Sequence, residues 1–245
     1  WLGPTYDPVS MVTQLAETLN GQSGQLEQTL AYIDPQSAKD WMATCSAPEY
    51  SSTYRDSVPF AAMARRIANH VGEQALTVNA LGCGDGRVEA VLTKHLQQNL
   101  RMPKQTELFL LDVSHSLLNA AYRHTCEALP EIRTYTIHGS FLDLPKMPML
   151  VNPLRGRSRL FAMLGLTLVN LNDELRFFRD TLSCCAPGEL FLCDLLIACA
   201  PANDRQKILK LDPIGDGKLR PSHETFLSGP IRRYCQGAED VDIRW

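Results

Sequence analysis

The sequence lacks both an excess of positive charge and any long apolar run. Its 245 residues contain 24 Lys and Arg against 27 Asp and Glu, a formal net charge of −3. The strong positive field that nucleic-acid-binding domains use is therefore missing. No uninterrupted apolar stretch approaches the roughly 20 residues that a membrane-spanning helix needs. We expect a protein without a nucleic-acid or membrane partner.

Metal-binding and disulfide patterns are also missing, although the chain has eight cysteines. No two of them form a C-x-x-C pair, and no histidine stands at zinc-ligand spacing from them. Several lie inside apolar runs, where a free cysteine behaves as a small hydrophobic residue. This usage indicates a reducing, cytoplasmic environment and predicts no metal site.

Three common functional motifs are absent as well. The absence of G-x-x-x-x-G-K-[ST] argues against a phosphate-binding P-loop, and without G-x-S-x-G there is no sign of a serine hydrolase. The G-x-G-x-x-G of dinucleotide enzymes is missing too, which opposes a nicotinamide-dependent oxidoreductase.

What the chain does contain is a glycine-dense turn set between apolar runs. The run 76–81 predicts a buried strand and leads into Gly82-Cys83-Gly84-Asp85-Gly86. A helical pattern follows over 88–100, with Val88, Val91, Leu92 and Leu96 on one face, and a second strand-like run, 108–111, stops at Asp112. This order is typical of half a nucleotide-binding βαβ unit, although a glycine turn in some other α/β domain is an alternative.

The chemistry of that unit suits a ligand with a ribose. Glycines let the backbone approach a ligand closely, and a carboxylate at the tip of the next strand can accept hydrogen bonds from ribose hydroxyls. Cys83, inside the turn, is interpreted either as a reactive thiol or, more simply, as a small side chain that fits a crowded turn.

Strand and helix patterns continue to alternate beyond this unit. Further strands are expected at 133–139, from residue 159, and at 189–198, with helices at 115–129 and 173–185 and a proline-broken loop at 145–158. Five strands in this order predict an α/β fold with a doubly wound, mostly parallel, Rossmann-like sheet. We divide the chain into a helical N-terminal region or lid (1–75), this ligand-binding domain (76–200) and a C-terminal segment (201–245) that would close the sheet incompletely, as in a fragment.

Several short motifs, in the right order, resemble class I S-adenosylmethionine (SAM)-dependent methyltransferases, and among them the histidine-specific methyltransferase family. The motifs are PEY at 48–50, LGCGDG at 81–86, LLDVS at 110–114, GSF at 139–141, FAMLGLTLVNL at 161–171 and PGELFLCDL at 187–195. The resemblance covers about residues 45 to 235. It implies a class I methyltransferase fold, SAM as the cofactor and S-adenosylhomocysteine as the product.

The resemblance also implies roles for individual residues. The predicted cofactor-binding residues are Gly82, Cys83, Gly84, Asp112, Val113, Ser140, Phe141 and Gly165. The predicted substrate-binding residues are Tyr50 and Asn170. Two positions depart from the family pattern: Ala80 stands where an acid normally precedes the glycines, and Ser140 replaces the acid before Phe141, a place that Asp143 could fill.

The resemblance predicts transfer of a methyl group to a small amino compound, such as the amino group of histidine or a related amino acid. An alternative is a catalytically weak or inactive SAM-binding module of a larger protein. No residue is assigned as a general base; His138, at the end of the third strand, is the only histidine expected near the site.

Overall fold

The structure is a computed structural model, and it describes residues 13, 16–17, 31–47, 59–152, 156–195, 214–215, 218–219 and 221–234. The chain divides into two compact units. The first comprises residues 1–13 and 59–195, and the second comprises 14–58 and 196–245. The boundaries predicted at residues 75 and 200, and the lid, stay predictions. None of the described helices is long and apolar enough to cross a membrane.

The first unit is built on a parallel sheet of five strands in the order β3-β2-β1-β4-β5. In chain order the first unit contains α2 (Phe60–Val71), β1 (Ala75–Leu81), α3 (Arg87–Asn99), β2 (Glu107–Asp112), α4 (His115–Ala128), β3 (Arg133–His138), α5 (Pro148–Val151), β4 (Arg157–Met163), α6 (Glu174–Arg176) and β5 (Leu190–Cys193). The predicted α/β fold with a mostly parallel sheet is therefore confirmed.

The centre of the sheet is β1, which is paired with β2 on one side and β4 on the other. All seven of its residues are buried, as expected for a parallel strand covered on both faces. Helices α2 and α3 pack against each other, as do α3 and α4. A cluster of buried hydrophobic residues includes Leu81, Leu111 and Phe161 from the strands together with Leu150 and Phe177.

The second unit contains α1 (Pro35–Ser46), a pair of short antiparallel strands (β6, Ile214–Gly215, and β7, Lys218–Leu219) and α7 (Pro221–Tyr234). Asp34 caps α1 because its carboxylate accepts hydrogen bonds from the backbone N–H groups of Gln36 (2.9 Å) and Ser37 (3.0 Å). The Arg233 guanidinium of α7 reaches the same carboxylate at 3.0 Å, and α7 packs along α1.

Three details differ from the sequence prediction. The expected single helix over 173–185 is instead α6 followed by a π-helical turn, Phe177–Thr181, and a 3₁₀ turn, Leu182–Cys184. The wider π turn lets two adjacent aromatic rings, Phe177 and Phe178, both contact Phe191, with centroids 6.1 and 5.8 Å away. Within the predicted loop 145–158, residues Pro148–Val151 form α5, and β4 begins at Arg157, two residues early.

The third difference concerns the buried face of α3. Val91 was expected to lie on it but is 44% exposed, whereas Glu89 is 3% exposed. The helix is rotated so that Glu89, Leu92 and Leu96 face inward. Hydrophobicity alone placed the valine inside because it takes no account of the groups that surround each position.

Candidate active site

The predicted cofactor residues follow the carboxyl ends of parallel strands, and therefore lie along one edge of the sheet. Gly82 and Gly84 follow β1, Ser140 and Phe141 follow β3, and Gly165 follows β4. Ligands of open α/β sheets bind at this edge, where the order of strands reverses. In this sheet the reversal lies between β1 and β4. The chain adds β2 and then β3 on one side of β1, and it then crosses to the other side of β1 to add β4 and β5.

The glycine turn is tied to the end of β2 by hydrogen bonds. The Gly82 N–H donates to the Leu111 carbonyl at 2.9 Å. The Gly84 N–H donates to Asp112 Oδ2 at 2.8 Å, and the Ser114 N–H donates to Asp112 Oδ1 at 2.8 Å. One carboxylate thus fixes both the turn after β1 and the start of the helix after β2.

Asp112 retains the capacity to bind a ligand. Burial raises its pKa to about 6, although hydrogen bonds from the backbone N–H groups of Ser114, Gly84 and Val113 oppose that rise. At neutral pH it is therefore largely ionised. Each carboxylate oxygen has two lone pairs and accepts one of the short bonds described above, so each can accept a further hydroxyl donor.

Two other loops close on Gly82. Its φ angle is +71°, and a Cβ atom at this position would lie 3.0 Å from Thr167 Cγ2 and 3.4 Å from Phe141 Cε1. A larger residue here would push on the loops after β3 and β4 together. Phe141 therefore lies beside the glycine turn, and its contact with the adenine stays a prediction.

Ser140 and Asp143, the two residues considered for the polar position near the adenine, make different interactions. Ser140, which replaces one of them, caps the 3₁₀ helix Phe141–Lys146, since its hydroxyl accepts a hydrogen bond from the Leu142 N–H at 3.2 Å. Asp143 is buried and forms an ion pair with Lys146 at 2.7 Å.

The turn after β4 is held by the acid that directly follows β5. The carboxylate of Asp194 accepts hydrogen bonds from the N–H groups of Gly165 and Leu166, both at 3.1 Å. Leu166 has a φ of +61°, a conformation that costs a residue with a side chain roughly 1–2 kcal/mol. The acid stabilises that conformation, and the turn leads into the 3₁₀ helix that ends at the exposed Asn170.

Other predicted residues contribute to packing and polarity. Cys83 is 4% exposed, and burial, then the nearby Asp112 and Glu89 carboxylates, raise the pKa of its thiol. These surroundings favour the interpretation of Cys83 as a small buried side chain. His138 Nε2 donates to the Val113 carbonyl at 2.9 Å, and burial lowers its pKa, so its imidazole is neutral at pH 7.

Tyr50, a predicted substrate residue, lies outside the part of the chain that the structure describes. Two buried charged residues, Arg159 and Glu89, were not predicted from the sequence. Arg159, 2% exposed within β4, pairs with Glu189 and donates to the Leu150 carbonyl. Glu89 was also missed, although its spacing of three and seven residues from Leu92 and Leu96 could have placed it inside.

A search with family models matches residues 11–208 to the histidine-specific, SAM-dependent methyltransferase family. The matched segment is well over half of the sequence. The chain belongs to this family. SAM is therefore its cofactor. A search of curated protein sequences found no significant match.

Solved structures of other methyltransferases are distantly similar. A Methanococcus maripaludis protein classed as a SAM-dependent methyltransferase is 18% identical, with 87% of this chain and 76% of that chain covered and a TM-score of 0.45. The sugar N-methyltransferase KedS8 of Streptoalloteichus is 16% identical, with 66% and 54% covered and a TM-score of 0.39. The O-methyltransferase TomG of Streptomyces achromogenes, solved with SAM, is 13% identical, with 94% and 85% covered and a TM-score of 0.39.

Proposed function

We propose that this methyltransferase transfers a methyl group to the amine of a small amino compound, an amino acid such as histidine. SAM, when bound, supplies the methyl group from its sulfonium. The observation that carries the proposal is the meeting of the turn after β4 with the glycine turn: Thr167 lies against Gly82, and Asn170 is exposed three residues later. The family model supports the choice of an amino-acid acceptor.

The same residues suggest how SAM would be held. Strand order supports one direction for it: Phe141 in the loop after β3 would lie at the adenine, Asp112 at the end of β2 would accept the ribose hydroxyls, and the glycine turn after β1 would receive the amino-acid end. The methyl group would then lie near the β1–β4 boundary. Val113, Ser140 and Gly165 flank this path through their backbone groups.

The protein's part in catalysis is mainly to position the reactants. An in-line displacement needs the nucleophilic amine at near-attack distance from the methyl carbon, and proximity of this kind can contribute roughly 7–11 kcal/mol. The amine must be neutral, so an oxygen acceptor suits it better than a cation. The Asn170 side-chain oxygen is the proposed acceptor, and Asp194 holds the turn that presents Asn170.

The test is a reaction of the chain with SAM and a panel of amino acids that includes histidine, analysed by mass spectrometry. We expect a product heavier by one or more methyl groups, with the methyl on nitrogen. Asn170→Ala should raise the KM for the acceptor while the affinity for SAM is kept. Asn172→Ala, an exposed neighbour, is the control. Methylation of hydroxyl compounds alone would refute the proposal.

A second candidate, a SAM-binding module with little or no activity, is favoured by two observations. The position that normally carries an acid before the glycines is the fully buried Ala80, and the Ser140 hydroxyl is engaged as a helix cap. The same experiment separates the two candidates. SAM binding without formation of S-adenosylhomocysteine over the whole panel would favour the module.

A further inference from the structure

Glu89 is a buried carboxylate beside the glycine turn. It lies in the first turn of α3, directly after Gly86, and is 3% exposed. Side chains of a helix lean toward its N-terminus, so that of Glu89 is directed back toward the turn. Its proximity is evident from its electrostatic influence on the Cys83 thiol, and from that of Asp85 and Asp112 on Glu89 itself.

No cation of the described chain neutralises this carboxylate. Among the described residues, no Lys, Arg or His forms an ion pair or a side-chain hydrogen bond with Glu89. The contrast with Asp85 is direct: its carboxylate is 3.2 Å from the Arg87 guanidinium, and it also accepts the Arg87 N–H. His124, which faces the turn from α4, donates to the Asp85 carbonyl at 2.7 Å.

The ionisable groups that influence Glu89 are acids. Burial is the main reason that its pKa is raised to about 8; a hydrogen bond from its own backbone N–H opposes the rise, and the Asp85 and Asp112 carboxylates add to it. A buried charge without a cationic partner is costly, so the ligand-free protein holds this carboxyl mostly in its protonated form at pH 7. A cation that arrived beside it would reverse the balance.

Strand order indicates which part of SAM arrives there. With the adenine at the end of β3 and the ribose at the end of β2, the amino-acid end reaches the turn between β1 and α3. Its α-carboxylate is drawn to backbone N–H groups at a helix N-terminus. The α-ammonium is attached to the same carbon atom and so lies within reach of the first turn, which carries Glu89.

We propose that Glu89 binds the α-ammonium group of SAM. The helix would then supply the acid that the end of β1 lacks at Ala80. This inference rests on the proposed orientation of SAM, and it does not depend on the identity of the methyl acceptor.

The test compares three ligands by calorimetric titration. SAM and S-adenosylhomocysteine both carry the α-ammonium, whereas methylthioadenosine carries neither an ammonium nor a sulfonium. For Glu89→Gln we expect the affinities for SAM and S-adenosylhomocysteine to fall at least tenfold, while that for methylthioadenosine stays within twofold. Glu127→Gln, an exposed acid of α4, should change none of the three.

Each other outcome overturns the proposal. Equal loss for all three ligands would show a structural role, and unchanged SAM affinity would show no role. Loss for SAM alone would assign the charge to the sulfonium instead. Failure of the unmodified chain to bind SAM would refute the site as a whole, which distinguishes that failure from an error about Glu89.

Proton release gives a second readout that a structural role would not move. Because Glu89 must ionise when the ammonium binds, SAM binding at pH 7 should release close to one proton more from the unmodified protein than from Glu89→Gln. The count follows from calorimetry in two buffers with different ionisation enthalpies. Equal counts for the two proteins would contradict the proposed pairing. The circular dichroism spectrum of each variant shows that it is folded.

Discussion

Gly86 offers the sharpest test of how the glycine turn is built. Its φ angle is +73°, and a Cβ atom there would lie 2.8 Å from both Cα and Cβ of Ala121 in α4. Backbone cannot move aside as a flexible side chain can. Gly86→Ala therefore combines two costs, a left-handed conformation of about 1–2 kcal/mol and overpacking of about 1–3 kcal/mol. We expect the free energy of unfolding to fall by about 2–5 kcal/mol.

A matched glycine separates these two costs. Gly156 has a φ of +73°, the same as Gly86, but nothing lies within 4 Å of the Cβ it would gain. Gly156→Ala should therefore cost only the conformational part. The difference between the two variants measures the clash, and should be about 1–3 kcal/mol.

The assay must report on the first unit alone, because a chain with two units does not necessarily unfold in one step. Hydrogen exchange of the slowest amides in the fully buried strand β1 gives the opening free energy of that unit. SAM affinity, measured in parallel, should fall for Gly86→Ala, since the clash shifts the start of α3, and should be unchanged for Gly156→Ala. Opening free energies that agree within about 0.5 kcal/mol would refute the packing argument.

Three further predictions follow from the ionised groups of the site and core. Asp112→Asn should lower SAM affinity at least tenfold in a calorimetric titration, because the amide cannot accept the N–H bonds and the ribose hydroxyls equally well; unchanged affinity would show that Asp112 does not contact the ribose. In the Glu89→Gln variant, which removes the other carboxyl of raised pKa, SAM affinity should fall about fivefold from pH 6 to pH 5, because Asp112, with a pKa of about 6, becomes protonated as the pH drops; a flat profile would contradict this. Asp194→Ala should lower kcat and spare SAM affinity, since it frees the N–H groups of Gly165 and Leu166, and an unaltered kcat would remove the turn from the mechanism.

The fold was predictable because the strands of the parallel sheet can be recognised from the apolar or alternating residues that they contain. The strands β1, β2 and β4 read as apolar runs in the sequence, and the sheet buries them as a parallel sheet requires. Asp173 caps α6 by accepting the Arg176 N–H, a role typical of an aspartate at the start of a helix. The π-helical turn at 177–181 was not predictable, because it depends on where Phe191 of β5 lies, which local patterns do not encode.

The glycine turn and the acid at the strand end could be predicted from the sequence, whereas the buried charged residues near them could not. Gly82, Gly84 and Asp112 follow from spacing, since the turn needs glycines and the strand tip needs an acid. Burial of Glu89 and Arg159 follows from neighbours distant in sequence, and a charged residue is ordinarily read as exposed.

The proposed role of Glu89 gives the departures from the family pattern a physical meaning. A cationic group of a cofactor needs a carboxylate at a place in space, and both the end of β1 and the first turn of α3 border the glycine turn. An acid at position 80, at the end of β1, would add a fourth carboxylate to a region that already holds Asp112, Glu89 and Asp85, and one ammonium cannot offset that repulsion. Ala80 and Glu89 are therefore expected to behave as a pair. Ala80→Glu alone should weaken SAM binding, while Ala80→Glu combined with Glu89→Gln should restore much of it; a double variant no better than the single one would show that the two positions are not interchangeable.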